Sequence, residues 1–268
     1  MTSSRTARRR RVLVGAGVLA LVGILVPVLL LHSSAPPSEG CSVGSAPTDY
    51  GLTPDQTQNA AIIAAVAAGR GLADHAVTVA LAAALQETQL QNLDHGDRDS
   101  LGLFQQRPSE GWGTPAQILD PVYAATAFYD HLVLIPGWET LAVTDAAQQV
   151  QHSATPTAYA AWEGEARALA EALTGETPAG LSCRLPTFDG SSPAAGALAG
   201  AASREFGRNL LGATVETKLG WAVAAWAVGH AWRYHLATVS FDGRTWSASS
   251  GGWAGDSSAG PVVTTTSA

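Results

Sequence analysis

Charged residues are scarce in this chain, and the basic ones are unevenly placed. They make up 14% of 268 residues, and the formal net charge is −7. Five arginines lie within the first eleven residues, so the rest of the chain is more acidic still. A negative body repels nucleic-acid phosphates, which argues against a nucleic-acid partner. The hydrophobic content of 46%, with abundant alanine, indicates a globular and helical protein.

Polar side chains are absent from residues 12–31. About 20 such residues are needed for a helix to cross a bilayer, so this stretch predicts a transmembrane helix. The basic residues 1–11 would then stay cytoplasmic, which makes the chain a single-pass protein of the cell membrane with an extracellular body. The alternative is a signal peptide that is cleaved to give a secreted protein. Residues 32–48, rich in Pro, Ser and Gly, predict a flexible tether.

Cysteine is nearly absent, with two residues in the chain. In an exported protein an even pair predicts a disulfide, here between Cys41 and Cys183. Neither cysteine has histidines at the spacing of metal ligands, so no metal site is predicted. No cofactor is expected either.

Sustained alternation of polar and apolar residues is absent before Cys183, and helical signals replace it. Thr53-Pro54-Asp55-Gln56 predicts a capping box that opens a helix running to about Ala68. The next helix is apolar on all sides from Ala76 to Leu85, which predicts a buried central helix. Further helices are predicted over Pro121–Leu134 and Thr155–Leu173. Residues 49–183 are therefore predicted to form an all-α domain, which makes the fold class mainly α.

The remainder of the chain differs in kind. Residues 184–196 read as a linker, and residues 197–268 predict a small α+β module of one helix and a β-hairpin. Asp242-Gly243 is a strong hairpin-turn signal, and pairing across it sets Val239 opposite Trp246. The tryptophans of this module are expected to form its core.

A glutamate, Glu87, ends the apolar helix just before a polar loop. Burial disfavours a charged carboxylate and raises its pKa, so this side chain is a candidate general acid. The alternative is a solvated glutamate at a frayed helix end. The loop continues with SLGLFQQ, residues 100–106, where Gly102 permits close approach of a ligand and Gln105 can hydrogen-bond sugar groups.

The combination of Glu87 with GLFQQ about fifteen residues later resembles the superfamily of soluble lytic transglycosylases and goose-type lysozymes. The run DRDSLGLFQQRPSEGWGTPAQILDP resembles more closely a group of actinobacterial membrane-anchored lysozyme-like proteins. The resemblance covers roughly Thr53 to Leu173. It implies a lysozyme-like helical domain and cleavage of the β-1,4 bond between N-acetylmuramic acid and N-acetylglucosamine. The implied partner is therefore the glycan strand of peptidoglycan; no protein partner is predicted.

The resemblance also assigns residues. Glu87 matches the acid/base, and the glycan groove is expected to involve Thr88, Ser100, Gly102, Leu103, Phe104 and Gln105. A later Ala-Tyr-Asn-Ala-Gly signature is only half present, with Gln151 in place of the asparagine and Val150 in place of the tyrosine. The missing tyrosine argues against full activity unless Tyr159 or Tyr129 takes its place.

The sequence leaves two reaction types open, a lytic transglycosylase and a hydrolase. In a lytic transglycosylase Glu87 suffices, because the muramoyl 6-hydroxyl is the nucleophile. A hydrolase needs a second carboxylate, for which Asp97 and Asp99 are favoured over Asp94. These aspartates can equally be turn residues or exposed partners of Arg98.

Trp112 is the strongest candidate among the tryptophans for stacking on a sugar. The alternative function is a catalytically weak or inactive peptidoglycan-binding or scaffold protein of the cell envelope.

Overall fold

A computed structural model describes residues 39–45, 48–153, 155, 157–186, 188, 193 and 196–268. About 48% of these residues are helical and 17% are in strands or β-bridges, and the strands form two antiparallel sheets. The predicted mainly α class, with strands confined to a C-terminal module, is therefore wrong. The fold mixes α and β, because one of the sheets is built from strands that flank the predicted all-α domain.

Nine α-helices lie in this part of the chain. They are α1 (Pro54–Gly69), α2 (Asp74–Thr88), α3 (Pro115–Ile118), α4 (Pro121–Leu132), α5 (Val143–Gln151), α6 (Glu163–Leu173), α7 (Ala197–Glu205), α8 (Thr217–Gly229) and α9 (Ala231–Tyr234). The strands are β1 (Gly40–Ser45), β2 (Thr48–Leu52), β3 (Leu181–Arg184), β4 (Leu236–Phe241), β5 (Arg244–Ser247), β6 (Trp253–Gly255) and β7 (Thr264–Ser267).

Helix α2 lies at the centre, as its sequence predicts. Every residue from Ala76 to Leu85 is buried, and α1, α4, α5 and α6 all pack against it. Alanine on several faces allows these neighbours to approach closely. The predicted capping box of α1 is confirmed, since Thr53 accepts from the Gln56 backbone while the Gln56 side chain accepts from Thr53.

The first sheet has the order β2-β1-β3 and holds the disulfide. Cys41 on β1 lies opposite Cys183 on β3, and the two are bonded, which confirms the predicted pair. Residues 40–45, predicted as part of a flexible tether, are thus in a strand. The strands escaped prediction because they are four to six residues long, contain Gly and Ser, and pair across 142 residues of sequence.

The second sheet has the order β6-β5-β4-β7 and contains the predicted hairpin. Asp242 and Gly243 both have positive φ, as a type I′ turn requires, and Val239 pairs with Trp246 as predicted. Trp246 is fully buried beneath the sheet, together with Trp226 of α8.

The elements on the two sides of residues 184–196 pack against each other. Helix α8 contacts both α1 and α6, and Lys218 on α8 forms an ion pair with Asp74 on α2. The described residues share one continuous hydrophobic core. The domain boundaries drawn from the sequence stay a prediction.

The single-pass membrane localisation needs correction. Among the described residues, no helix combines the length and the apolar character that a membrane crossing demands. The stretch 12–31, on which the prediction depended, and residues 1–11 lie outside the described part of the chain.

Candidate active site

Glu87 lies in the last turn of α2, where the helix stops abruptly. Gln89 and Leu90 both adopt positive φ and turn the chain away from the helix axis. The side chain of Glu87 is half-buried, whereas its neighbour Thr88 is buried. The carboxyl group is therefore held at the edge of the core rather than in open solvent.

Tyr159 fixes the carboxyl group of Glu87. Its hydroxyl donates to Glu87 Oε1 at 2.8 Å, and its ring is fully buried. The tyrosine lies on a short 3-10 helix, Ala158–Trp162, which α2 contacts directly. A second hydrogen bond ties the same segment to α2, because Trp162 Nε1 donates to Gln86 Oε1 at 2.8 Å.

Burial sets the protonation of this pair. Desolvation raises the pKa of Glu87 above its usual value, and hydrogen bonds from Tyr159 and Gln151 partly oppose that rise. Burial also raises the pKa of the Tyr159 hydroxyl, and the nearby Glu87 carboxylate raises it further. Tyr159 therefore remains a hydrogen-bond donor, and Glu87 holds its proton to higher pH than an exposed glutamate does.

Residues 101–106 form a turn whose backbone requires a glycine at position 102. This glycine has a φ of 74°, and a β-carbon at its position would lie 2.6 Å from the backbone oxygen of Ile118. Its amide donates to the oxygen of Leu93 at 2.7 Å, and Leu101 pairs with Gln106 across the turn. No other residue type fits here without moving the backbone.

Two side chains hold this turn in place, one from the helix that carries Glu87 and one from α5. Thr88 Oγ1 donates to the backbone oxygen of Leu103 at 2.9 Å, and Gln151 Nε2 donates to that of Phe104 at 2.8 Å. The side chains of Leu103 and Phe104 themselves are buried in the core. Thr88 and Gln151, predicted as substrate-binding residues, therefore also hold the backbone of the turn in place.

A cavity of about 120 Å³ opens beside Glu87. We call it the Glu87 cavity, and it is lined by Glu87, Phe104, Gln105, Gln106, Arg107, Glu110, Trp112, Gln151 and Ser153. Five of these residues were predicted from the sequence as site residues. The structure thus brings Glu87 together with Phe104, Gln105, Trp112 and Gln151, which are distant in sequence.

The cavity wall also includes four residues that sequence reasoning missed, namely Gln106, Arg107, Glu110 and Ser153. Arg107 and Glu110 belong to the GLFQQRP-x-x-GWG run, so the resemblance itself pointed to their segment. Their types carry no distinguishing signal, because a charged residue in a loop is most often solvated.

The predicted aspartates take structural positions outside the cavity lining. Asp99 accepts hydrogen bonds from the Ser109 backbone and hydroxyl and from Arg107 Nε. These donors, the Ser109 backbone amide first, lower the pKa of Asp99 to about 2. The side chain of Asp97 is 93% exposed and lies near Arg98, while Asp94 pairs with His95.

Three further residues named from the sequence, Ser100, Trp112 and Tyr129, make structural contacts. Ser100 is buried, and its amide donates to the oxygen of Asp97. Trp112 is half-buried and packs on the ring of His131, with the centroids 4.1 Å apart. Tyr129, the other candidate partner of Glu87, instead donates to the backbone oxygen of Ile63.

A larger cleft, about 920 Å³, lies between α1, the 90–93 segment and helices α7 and α9. Its buried carboxylate, Glu205, already accepts from Trp226 Nε1 at 2.6 Å and contacts His230 Nε2 at 3.2 Å. A carboxylate engaged in this way has structural partners on both oxygens. Size alone therefore does not make this cleft the site of chemistry, and the smaller Glu87 cavity is the better candidate.

Metal ligands do not cluster in the described part of the chain, where no group of three or more His, Cys, Asp or Glu side chains converges. Neither known protein families nor curated proteins include a match to this chain.

Proposed function

We propose that this protein cleaves the glycan strands of peptidoglycan, with Glu87 as the general acid. The bond cut is the β-1,4 linkage between N-acetylmuramic acid and N-acetylglucosamine. The observation that carries the proposal is the hydrogen bond from buried Tyr159 to half-buried Glu87, at the wall of a cavity next to the 101–106 turn.

The first chemical step follows from the surroundings of Glu87. A carboxyl group whose pKa is raised by burial keeps its proton to higher pH than an exposed glutamate does, and it can donate that proton to the glycosidic oxygen. When Glu87 becomes charged, the Tyr159 hydroxyl stabilises the new carboxylate. The leaving sugar departs with the proton, and positive charge develops on the muramoyl ring.

Tyr159 supplies what the half-present third motif lacks. Val150 occupies the place of the family's tyrosine and is buried in the core, 2% exposed. Nine residues later in the chain, Tyr159 reaches the same acid from the 3-10 helix. This contact favours an active enzyme over an inactive binding protein.

Polar groups around the cavity fit a glycan. Gln105 and Gln151 carry amides, and Ser153 carries a hydroxyl, which are groups that hydrogen-bond sugar hydroxyls and N-acetyl amides. The muramoyl 6-hydroxyl, as in lytic transglycosylases, or water then attacks the anomeric carbon.

Isolated peptidoglycan sacculi provide the test. The wild type should release soluble muropeptides, and Glu87→Gln should lower the rate by about 10²- to 10⁴-fold, because the acid is lost. Glu165→Gln is the matched control, since Glu165 is also half-buried with a pKa raised by burial but does not line the cavity. It should keep the wild-type rate.

Two outcomes would contradict the proposal. Release by Glu87→Gln at the wild-type rate would remove Glu87 from the chemistry. Co-sedimentation of the wild type with sacculi, without release, would instead identify a binding protein.

A further inference from the structure

A second carboxylate, Glu110, lines the Glu87 cavity. Neither Asp97 nor Asp99 does so. A glycosidase that uses water needs a second acidic group close to the acid, with room for a water molecule between them. Besides Glu87, Glu110 is the acidic residue that lines this cavity among the described residues.

The position of Glu110 is held by a chain of charges. It ends the 3-10 helix Pro108–Glu110, and Gly111, at a φ of 86°, closes that helix. Its carboxylate forms an ion pair with Arg107, whose Nε donates to Asp99 at 2.9 Å. Asp99 is in turn fixed by Ser109. The arrangement orients Glu110 without burying it, since its side chain is 56% exposed.

The cavity has room for water. A volume of about 120 Å³ accommodates several water molecules, each of which occupies about 30 Å³ in the liquid. In inverting glycosidases the two carboxyl groups are about 6.5–9.5 Å apart, so that water fits between base and sugar.

We propose that Glu110 is the general base that activates water for attack on the muramoyl anomeric carbon, which makes the reaction a hydrolysis with inversion. This inference rests on the proposed function. Glu110 removes a proton from water while the oxygen forms a bond to the anomeric carbon. The bond from that carbon to the bridging oxygen breaks, and the bridging oxygen takes the proton of Glu87. Proton exchange with solvent then restores both groups.

Asp99 is unsuited to the role. It accepts three hydrogen bonds, and they hold its pKa at about 2, so that it attracts a proton weakly. Its contribution is instead to position Arg107 and, through it, Glu110.

The experiment compares Glu110→Gln, Glu110→Asp and the wild type on sacculi. Glu139→Gln is the matched control, because Glu139 also lies in a short 3-10 helix but is exposed and outside the cavity. Mass spectrometry distinguishes reducing ends from 1,6-anhydro ends, and NMR identifies the anomer formed first.

We expect wild-type products with reducing ends and initially the α-anomer, since a β-bond is inverted. Glu110→Gln should lower their formation by about 10²-fold or more and remove the acidic limb of the pH profile. Glu110→Asp, which keeps a carboxylate, should recover part of the rate. A merely structural role would leave the shape of the pH profile unchanged.

The failures are distinguishable. Anhydro ends as the main product, retention of the β-anomer, or reducing ends from Glu110→Gln at the wild-type rate would each overturn the role of Glu110, while Glu87 could still be the acid. Absence of any soluble product from the wild type would overturn the proposed function, and the role of Glu110 with it.

Discussion

Two glutamates in this molecule receive a hydrogen bond from an aromatic side chain, but they lie in different surroundings. Glu87 accepts from the Tyr159 hydroxyl at 2.8 Å and borders a cavity. Glu205 accepts from Trp226 Nε1 at 2.6 Å and is 7% exposed. A donor and partial burial are therefore common to both, and they do not by themselves identify a catalytic acid.

The difference lies in the second partner of Glu205, which is buried His230. His230 Nδ1 lies 2.9 Å from the backbone oxygen of Trp226, which can only accept, so Nδ1 carries a hydrogen. Nε2 of the same ring lies 3.2 Å from Glu205 Oε2, so the carboxyl group and the imidazole are direct partners in the core. Glu205 thus contacts a buried imidazole as well as an indole, whereas Glu87 has neutral partners and borders a cavity.

Removal of Glu205 has the largest expected effect on stability. Glu205→Ala leaves buried His230 and the Trp226 N–H without their partner, which should cost about 3–5 kcal/mol of unfolding free energy. The melting temperature should fall by about 10 °C or more. Activity per folded molecule, measured well below that temperature, should remain at the wild-type value.

Exposed Glu139→Ala serves as the control and should leave the melting temperature within about 2 °C of the wild type. Glu87→Gln should show the reverse pattern, with activity lost and stability kept. If Glu205→Ala instead abolishes cleavage in folded protein, the two glutamates are not functionally distinct.

Several features of this comparison could be predicted from the sequence. The periodicity of α2 placed Glu87 at the end of a buried helix. The resemblance pointed to Gln151 and left Tyr159 and Tyr129 as alternatives for the missing tyrosine. These are local or motif signals. The role of Glu205 could not be predicted, because it depends on how α7 packs against α8.

In the fold, too, local features could be predicted from the sequence, whereas features that depend on long-range packing could not. The capping box at Thr53 and the Asp242-Gly243 turn are local, and both are confirmed. The β2-β1-β3 sheet was missed because strands with Gly and Ser carry little signal and pair over long range. The segment Thr155–Leu173, predicted as one helix, contains the 3-10 helix Ala158–Trp162 before α6, which is how Tyr159 reaches Glu87. Glu110 was missed because loop sequence does not fix side-chain direction.

Tyr159→Phe sharpens the comparison with an intermediate effect. The buried ring remains, while the hydrogen bond to Glu87 is lost, so cleavage should slow about ten-fold, equivalent to about 1.4 kcal/mol. That hydrogen bond lowers the pKa of Glu87. Without it the pKa rises further, and the alkaline limb of the pH–activity profile should move to higher pH.

Tyr129→Phe is the matched control for this variant. Tyr129 is equally buried, but its hydroxyl donates to the backbone oxygen of Ile63. The control should lose stability and keep the wild-type pH profile. An alkaline limb that stays in place in Tyr159→Phe would show that the tyrosine does not tune the acid.

The smallest expected effect concerns the pH dependence of stability. Because burial raises the folded-state pKa of Glu87, its stabilising contribution is complete below the unfolded-state pKa and is lost as pH rises through the folded-state value. Glutamine does not ionise, so the stability of Glu87→Gln relative to the wild type should increase over that same range and then level off. Partial exposure keeps the difference below about 1 kcal/mol.

Denaturant unfolding at a series of pH values, with exposed Glu139→Gln as the baseline, measures this difference. A relative stability that decreases with rising pH would mean that the fold favours the charged form of Glu87. In that case the Glu87 carboxyl group would lose its proton at too low a pH to act as an acid. The contrast between Glu87 and the structural glutamate Glu205 would then be lost.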